Sequence, residues 1–213
     1  MMEFLSPGRY IDSDHPAVVE FAKQHVKGSS DVERAVALYY AVRDGVRYNP
    51  FLDFSRDTAF QGSKCLETGE GFCIGKSALL AACARAVGIP ARVGFADVKN
   101  HLTTPRLAER MGTDLFVYHG FTELWLEGKW VKATPAFNLE LCRKFRVKPL
   151  EFDGRSDSIF HPFDADDRRH MEYLRERGSF ADVPVAEIQR VFRESYPALY
   201  GLGQEAAKEA FSP

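Results

Sequence analysis

The order of residue patterns predicts an α+β fold, and three observations carry that expectation. Helical periodicity fills the first part of the chain, an apolar helix led by a cysteine follows, then a block of strands, then more helices. Strands grouped together, rather than alternating with helices, argue for an antiparallel sheet and against βαβ winding. Second, 213 residues at 45% hydrophobic and 27% charged can bury one sizeable core. Third, Leu115–Leu126 is aromatic and β-branched, and Glu127-Gly128-Lys129 turns it into Trp130–Thr134, a hairpin signature. The expected organisation is a single domain over 1–213, mostly helical over 139–213.

Taken in order, Ser13-Asp14-His15-Pro16 opens a first helix with a capping side chain and a proline near its first turn. Gly28-Ser29-Ser30 breaks it, and Ser30 with Glu33 forms a capping-box pattern for a second helix running through Val42. Val46-Arg47-Tyr48 reads as a short extended piece. Residues 51–71 are polar and glycine-punctuated, and read as a loop. From Cys73, residues Ala78, Leu79, Ala82, Cys83 and Ala86 recur at helical spacing until Gly88 and Pro90 end the helix. Ala91–Val98 alternates like a strand, and Thr104-Pro105 caps a short helix through Met111. Asn138 caps another, containing Leu139, Leu141 and Cys142. Beyond Val147, Leu150–Gly154 suggests a strand and turn, Asp164–Arg177 a charged helix, Val185–Tyr196 an amphipathic one, and Ala198–Pro213 a small-residue helical tail. The apolar stripe of Val185, Ile188, Phe192, Tyr196 and Leu199 reads as core packing, with a dimer face as the alternative.

Bulk properties narrow the function. A net charge of −2 offers no electrostatic case for nucleic acid or an anionic membrane. Four cysteines without paired spacing favour reduced thiols. Met1–Tyr10 lacks a basic region followed by an apolar run, and no apolar stretch approaches membrane-spanning length, so the expected location is cytoplasmic.

Chemistry centres on Cys73 and His119. A thiol at the first turn of a helix meets open backbone N–H groups and the positive end of the dipole, which favour a thiolate. A histidine on a facing strand can take its proton and return it to a leaving group. Position alone leaves Cys73 open to being a small buried hydrophobe and His119 to being a satisfied strand histidine. A phosphate loop around Gly75-Lys76-Ser77 fails because the place of its first glycine holds Glu70. His161, Asp164, Asp166, Asp167 and His170 form a possible metal cluster, but an acidic helix start explains them more simply.

Gly71-Phe72-Cys73, Leu79-Leu80-Ala81 and Arg85–Arg92 resemble the core of the transglutaminase-like superfamily. So do His119 with Glu123, then Gly128-Lys129-Trp130 and Thr134-Pro135, and upstream Tyr39-Tyr40 with Val46-Arg47-Tyr48. The resemblance covers residues 30–138. It implies a papain-like core with the cysteine helix packed on an antiparallel sheet, and a Cys-His-Asp centre that forms a thioester. By that resemblance Cys73 is the nucleophile and His119 the base. The family aspartate falls four places after the tryptophan, where this chain has Thr134. Thr134 or Asn138 then becomes the third member, neither able to supply a negative charge. The backbone N–H of Cys73 belongs to the oxyanion hole, with Gln61 or Lys64 as candidates for a second donor, while Glu67 and Glu70 read as solvated charges. The expected activity is attack on a peptide or amide carbonyl with release to water, more than cross-linking. No cofactor or metal is implied, and the oligomeric state is left open. A catalytically silent binding module is the alternative.

Overall fold

A computed structural model describes residues 1–100, 109, 111–159 and 171–197. Its centre is the cysteine helix. In chain order the helices are α1 (Pro16–His25), α2 (Asp31–Gly45), α3 (Gly62–Thr68), α4 (Cys73–Ala86), α5 (Leu139–Phe145) and α6 (Val185–Ser195). The strands are β1 (Arg47–Tyr48), β2 (Glu70–Gly71), β3 (Ala91–Asn100), β4 (Leu115–Leu126), β5 (Lys129–Ala133) and β6 (Met171–Phe180). β1 and β2 make a small parallel pair. The main sheet is antiparallel in the order β5-β4-β3-β6.

Every residue of α4 from Cys73 to Arg85 is buried. A helix covered on all sides must lie inside the protein, and α1, α2 and α3 pack around α4 while β3 and β4 close the remaining side. Small residues make this possible. A methyl group on Gly120 of β4 would lie 3.1 Å from the Ile74 Cα, so only glycine brings the strand this close to the start of α4. One turn further along, Thr122 Oγ1 donates to the Ser77 carbonyl at 2.9 Å. Lys76, fully buried, donates to the Arg43 and Val46 carbonyls at 2.8 and 2.6 Å and so ties α4 to the end of α2. Burial brings its pKa down to about 7.

The expected α+β architecture is present, and several elements fall where the patterns place them. Ser30 and Glu33 form the complete capping box of α2, and Gly88 adopts a left-handed φ of 84° beyond α4. Val185, Ile188, Phe192 and Tyr196 are buried in the core, as core packing requires, while Leu199 lies outside the described residues.

Four local expectations are corrected. The N-cap of α1 is His15, whose side chain makes no capping bond, and Pro16 opens the helix. The expected loop at 51–71 contains α3, closed by Gly69 at a φ of 68°. Leu150–Asp153 is not a strand: side chains of α2 take its backbone groups. Tyr39 Oη and Arg43 Nη1 donate to the Leu150 carbonyl at 2.9 and 2.8 Å, and the Phe152 N–H donates to Tyr40 Oη at 3.1 Å. The following turn does form, with the Asp153 carboxylate accepting from the Arg155 and Ser156 N–H groups. Finally, Met171–Arg177 is strand, not helix, because pairing along β3 from Asn100↔Met171 to Val93↔Phe180 outweighs the helical preference of its charged residues. β6 therefore joins the core sheet instead of a helical extension. The expected helix at Thr104-Pro105, the cluster at His161–His170 and the tail from Ala198 lie outside the described residues.

Candidate active site

Two short-range devices set Cys73 at the head of α4. β1 pairs with β2 in the register Tyr48↔Gly71, and the Asn49 N–H donates to the Gly71 carbonyl at 2.9 Å, so the residue two before the cysteine is held. A Cβ on Gly71 would lie 2.3 Å from Cys65 Sγ, which explains the glycine there. Phe72 is the N-cap and has no side-chain cap, leaving the first-turn N–H groups of α4 to other acceptors.

His119 sits at a break in the sheet. It pairs with Ala96, but Val98 then pairs with Phe116, so the register slips through a bulge at Asp97 and Tyr118. Tyr118 carries a φ of 53°, unusual for a bulky side chain. A network holds it there. The Asp97 carboxylate accepts the Tyr118 N–H at 3.1 Å and is gripped by Arg177 of β6 at 2.7–3.0 Å, while that guanidinium lies 4.8 Å from the Tyr118 ring centre. Tyr118 Oη donates to Glu187 of α6. Bulges next to active sites commonly re-aim a residue.

Cys73 and His119 line one cavity of about 50 Å³, walled by Tyr48, Phe54, Phe72, Phe116, Phe192 and Tyr196, with Pro50, Met111 and Val117 completing it. The N–H groups of Gly120, Ile74 and Cys73 pull the thiol pKa down, but burial outweighs them and pushes it up to about 11. This reverses the direction expected from the helix start alone. The helix terminus acts as expected, yet removal from water costs the thiolate more. Tyr48 is buried beside Cys73, and removal from water holds its phenol well above its ordinary pKa. Tyr196 Oη donates to the Leu115 carbonyl at 2.8 Å and accepts the Val117 N–H at 2.6 Å, so its hydroxyl is committed to β4.

The other sequence candidates lie elsewhere or are occupied. Thr134 is buried, but its Oγ1 has no hydrogen-bond partner among the described residues, so it does not hold His119 in this arrangement. Asn138 Oδ1 accepts the Tyr48 N–H at 3.2 Å. Gln61 donates to Asp12 at 2.9 Å and Lys64 pairs with Glu67 at 3.1 Å, and neither lines the Cys73 cavity. Glu70 pairs with Arg47. Glu123 also works away from the thiol: it binds Arg92, whose guanidinium stacks 4.2 Å from the Trp130 ring. This part of the motif is scaffold. Gly120 was missed as a group acting on the thiol, and Tyr48, Phe192 and Tyr196 as cavity residues. A glycine inside an otherwise β-branched strand was the available signal for the first. No sequence signal brings α6 to the site.

Solved structures with low similarity include a candidate cysteine protease from Cytophaga hutchinsonii, at 18% identity and a TM-score of 0.48, matching 84% of this chain and 53% of that one. A transglutaminase structure matches at 21% identity and a TM-score of 0.40, over 58% of this chain and 31% of its own. A candidate protease from Parabacteroides distasonis matches at 15% and 0.39, over 58% and 25%. The chain thus spans about half the length of the first of these and a third or less of the others. No curated protein matches it. Among the described residues no helix is long and apolar enough to cross a membrane. The sequence profile of the transglutaminase-like superfamily matches residues 20–135, spanning Cys73, His119 and Thr134, and the chain belongs to that superfamily.

Proposed function

We propose that this protein is a thiol acyl-transfer enzyme acting on a peptide or amide carbonyl, with water as the usual acceptor. One observation carries the reading: Cys73, at the head of α4, shares a cavity with His119, and the backbone N–H groups of Gly120 and Ile74 act to lower its thiol pKa against the effect of burial. Burial keeps the thiol protonated at rest, so His119 takes its proton as the sulfur attacks. The first-turn N–H groups stabilise the tetrahedral oxyanion, whose charge appears only in the transition state. His119 then protonates the leaving amine, and water hydrolyses the thioester. Thr134, whose hydroxyl has no partner among the described residues, does not orient His119 in this arrangement, which leaves Asn138, whose Oδ1 accepts the Tyr48 N–H, as the neutral candidate for the third member. Substrate peptide and a cytoplasmic setting complete the proposal.

A silent binding module is the second reading, favoured by Thr134 at the aspartate position with its hydroxyl unpaired among the described residues. Incubation of the protein with an acetylated glutamine peptide, with and without a fluorescent primary amine, separates the readings. Peptide deamidation without amine incorporation, lost in His119→Ala by about 10²–10⁴-fold, is the expected outcome. Amine incorporation would make transfer the main reaction. The same traces for wild type and Cys73→Ala would leave the binding module.

A further inference from the structure

We infer that the acyl group accepted beside Cys73 is short, uncharged and apolar, and that Phe192 of α6 and Tyr196, the residue that ends that helix, form the wall that selects it. The inference rests on the thiol reading and adds its substrate class. The cavity is lined by no Asp, Glu, Lys or Arg among the described residues. The polar groups that do line it are engaged or belong to the chemistry: Cys73 and His119 are the reacting pair, and the Tyr196 hydroxyl is committed to β4 at both its donor and acceptor sides. Asp97 and Arg177, the charges nearest Tyr196 in electrostatic effect, pair with each other at 2.7 Å. A carboxylate or ammonium on the acyl chain would leave water here without a counter-charge, and that cost falls on the acylation step. Size sets the second limit. At about 50 Å³ the cavity holds the equivalent of a few water molecules, enough for a short aliphatic chain.

The wall comes from far along the sequence. Phe192 is packed against Phe54 at 5.4 Å between ring centres and against Tyr196 at 5.4 Å. α6 is tied to β4 through Tyr118–Glu187 as well as through Tyr196. The helix that selects the acyl group is therefore fastened to the strand that carries His119.

p-Nitrophenyl esters test this on the intact protein. Cys73 Sγ bonds to the carbonyl carbon, the bond to the phenolic oxygen breaks, and the thiol proton passes through His119 to the departing phenolate. Water then attacks the thioester, releasing the carboxylic acid and returning a proton to the sulfur. Rates for pentanoate and for the anionic glutarate half-ester are each corrected by the rate with Cys73→Ala. Pentanoate should exceed the half-ester in kcat/KM by at least about tenfold. Phe192→Leu, and Phe192→Ala where it folds, should shift the octanoate-to-pentanoate ratio upward by about threefold or more. Equal Cys73-dependent rates for the charged and neutral esters overturn the inference while the thiol reading stands. An unchanged chain-length ratio in a folded Phe192 variant overturns the role of α6. No Cys73-dependent rate with any ester overturns the thiol reading and this inference with it.

Discussion

Cys65 and Cys73 stand on either side of the two-residue strand β2, both buried, both with thiol pKa values raised by burial, to about 12 and about 11. Their surroundings differ in kind. Cys65 borders a cavity of about 400 Å³ whose rim carries Asp53, Arg56, Lys64 and Glu70, and those charges are matched by Arg56–Asp53, Lys64–Glu67 and Arg47–Glu70 pairs. The titratable neighbours acting on its thiol are Lys76 and Glu70. Cys73 faces the smaller, aromatic cavity with His119 and has three N–H groups acting on its sulfur. Burial is common to both. What separates them is the histidine in the cavity and the N–H groups acting on the thiol, the two kinds of group that the proposed nucleophilic catalysis would use. The larger cavity has more room, and the smaller one holds the residues of the proposed chemistry.

The sharpest way to break this comparison is to remove each sulfur in turn. Cys73→Ala should lower Cys73-type ester turnover by about 10³-fold or more. Cys65→Ala should stay within about threefold of wild type, since Cys65 does not line the Cys73 cavity and a smaller side chain leaves Gly71 free of any clash, at a stability cost of about 1–2 kcal/mol from the lost packing. Equal losses in both, measured as kcat/KM with p-nitrophenyl acetate, would mean that α3 and α4 share one site.

Gly120→Ala probes the donor side alone. Its added methyl meets the Ile74 Cα at 3.1 Å, so β4 must draw back from the head of α4, at about 1–3 kcal/mol by denaturant titration. The expected kinetic signature is a fall in kcat of about tenfold or more in the folded variant, because the Gly120 N–H leaves the sulfur. Unchanged kcat with lowered stability would reduce Gly120 to a packing role.

The smallest effect is on alkaline stability. Burial pushes the Cys73 thiol pKa up from an ordinary value of 9.0 to about 11 in the folded protein. The folded state therefore holds the proton more tightly, its stabilising contribution is complete below pH 9, and it is lost as pH rises through 11. The same sign applies to Cys65, with its window reaching about 12. Each thiol should contribute a slope of up to ~1.4 kcal/mol per pH unit within its window. Unfolding free energies measured from pH 8 to 11 should decline less steeply in either cysteine variant than in wild type. An identical decline would place both thiols in contact with water before the transition.

Much of the fold was legible because it is written in local chemistry. The Ser30/Glu33 box, the small-residue periodicity of α4, Gly88 and the β4–β5 hairpin each state their structure within a few residues. The β6 strand was not legible. Glu172–Arg177 has a helical composition, and only the open edge of β3, supplied by distant residues, makes it a strand. Leu150–Asp153 failed for the converse reason: α2 side chains took the backbone groups that a strand would have used.

The candidate site divides the same way. Sequence by itself determined the family, the helix that begins at Cys73, the strand that carries His119, and the threonine at the place where the resemblance implies an aspartate. These follow from residue identity and short spacing. Tertiary structure alone decided the direction of the Cys73 pKa shift, the bulge beside His119, the close approach at Gly120, the unpaired Thr134 hydroxyl, and the closure of the cavity by Phe192 and Tyr196. Each of these depends on which groups meet after the chain has folded back, over 21 residues at the bulge and over more at the cavity wall. Desolvation, hydrogen-bond partnership and cavity shape are properties of that meeting, so no local pattern can encode them.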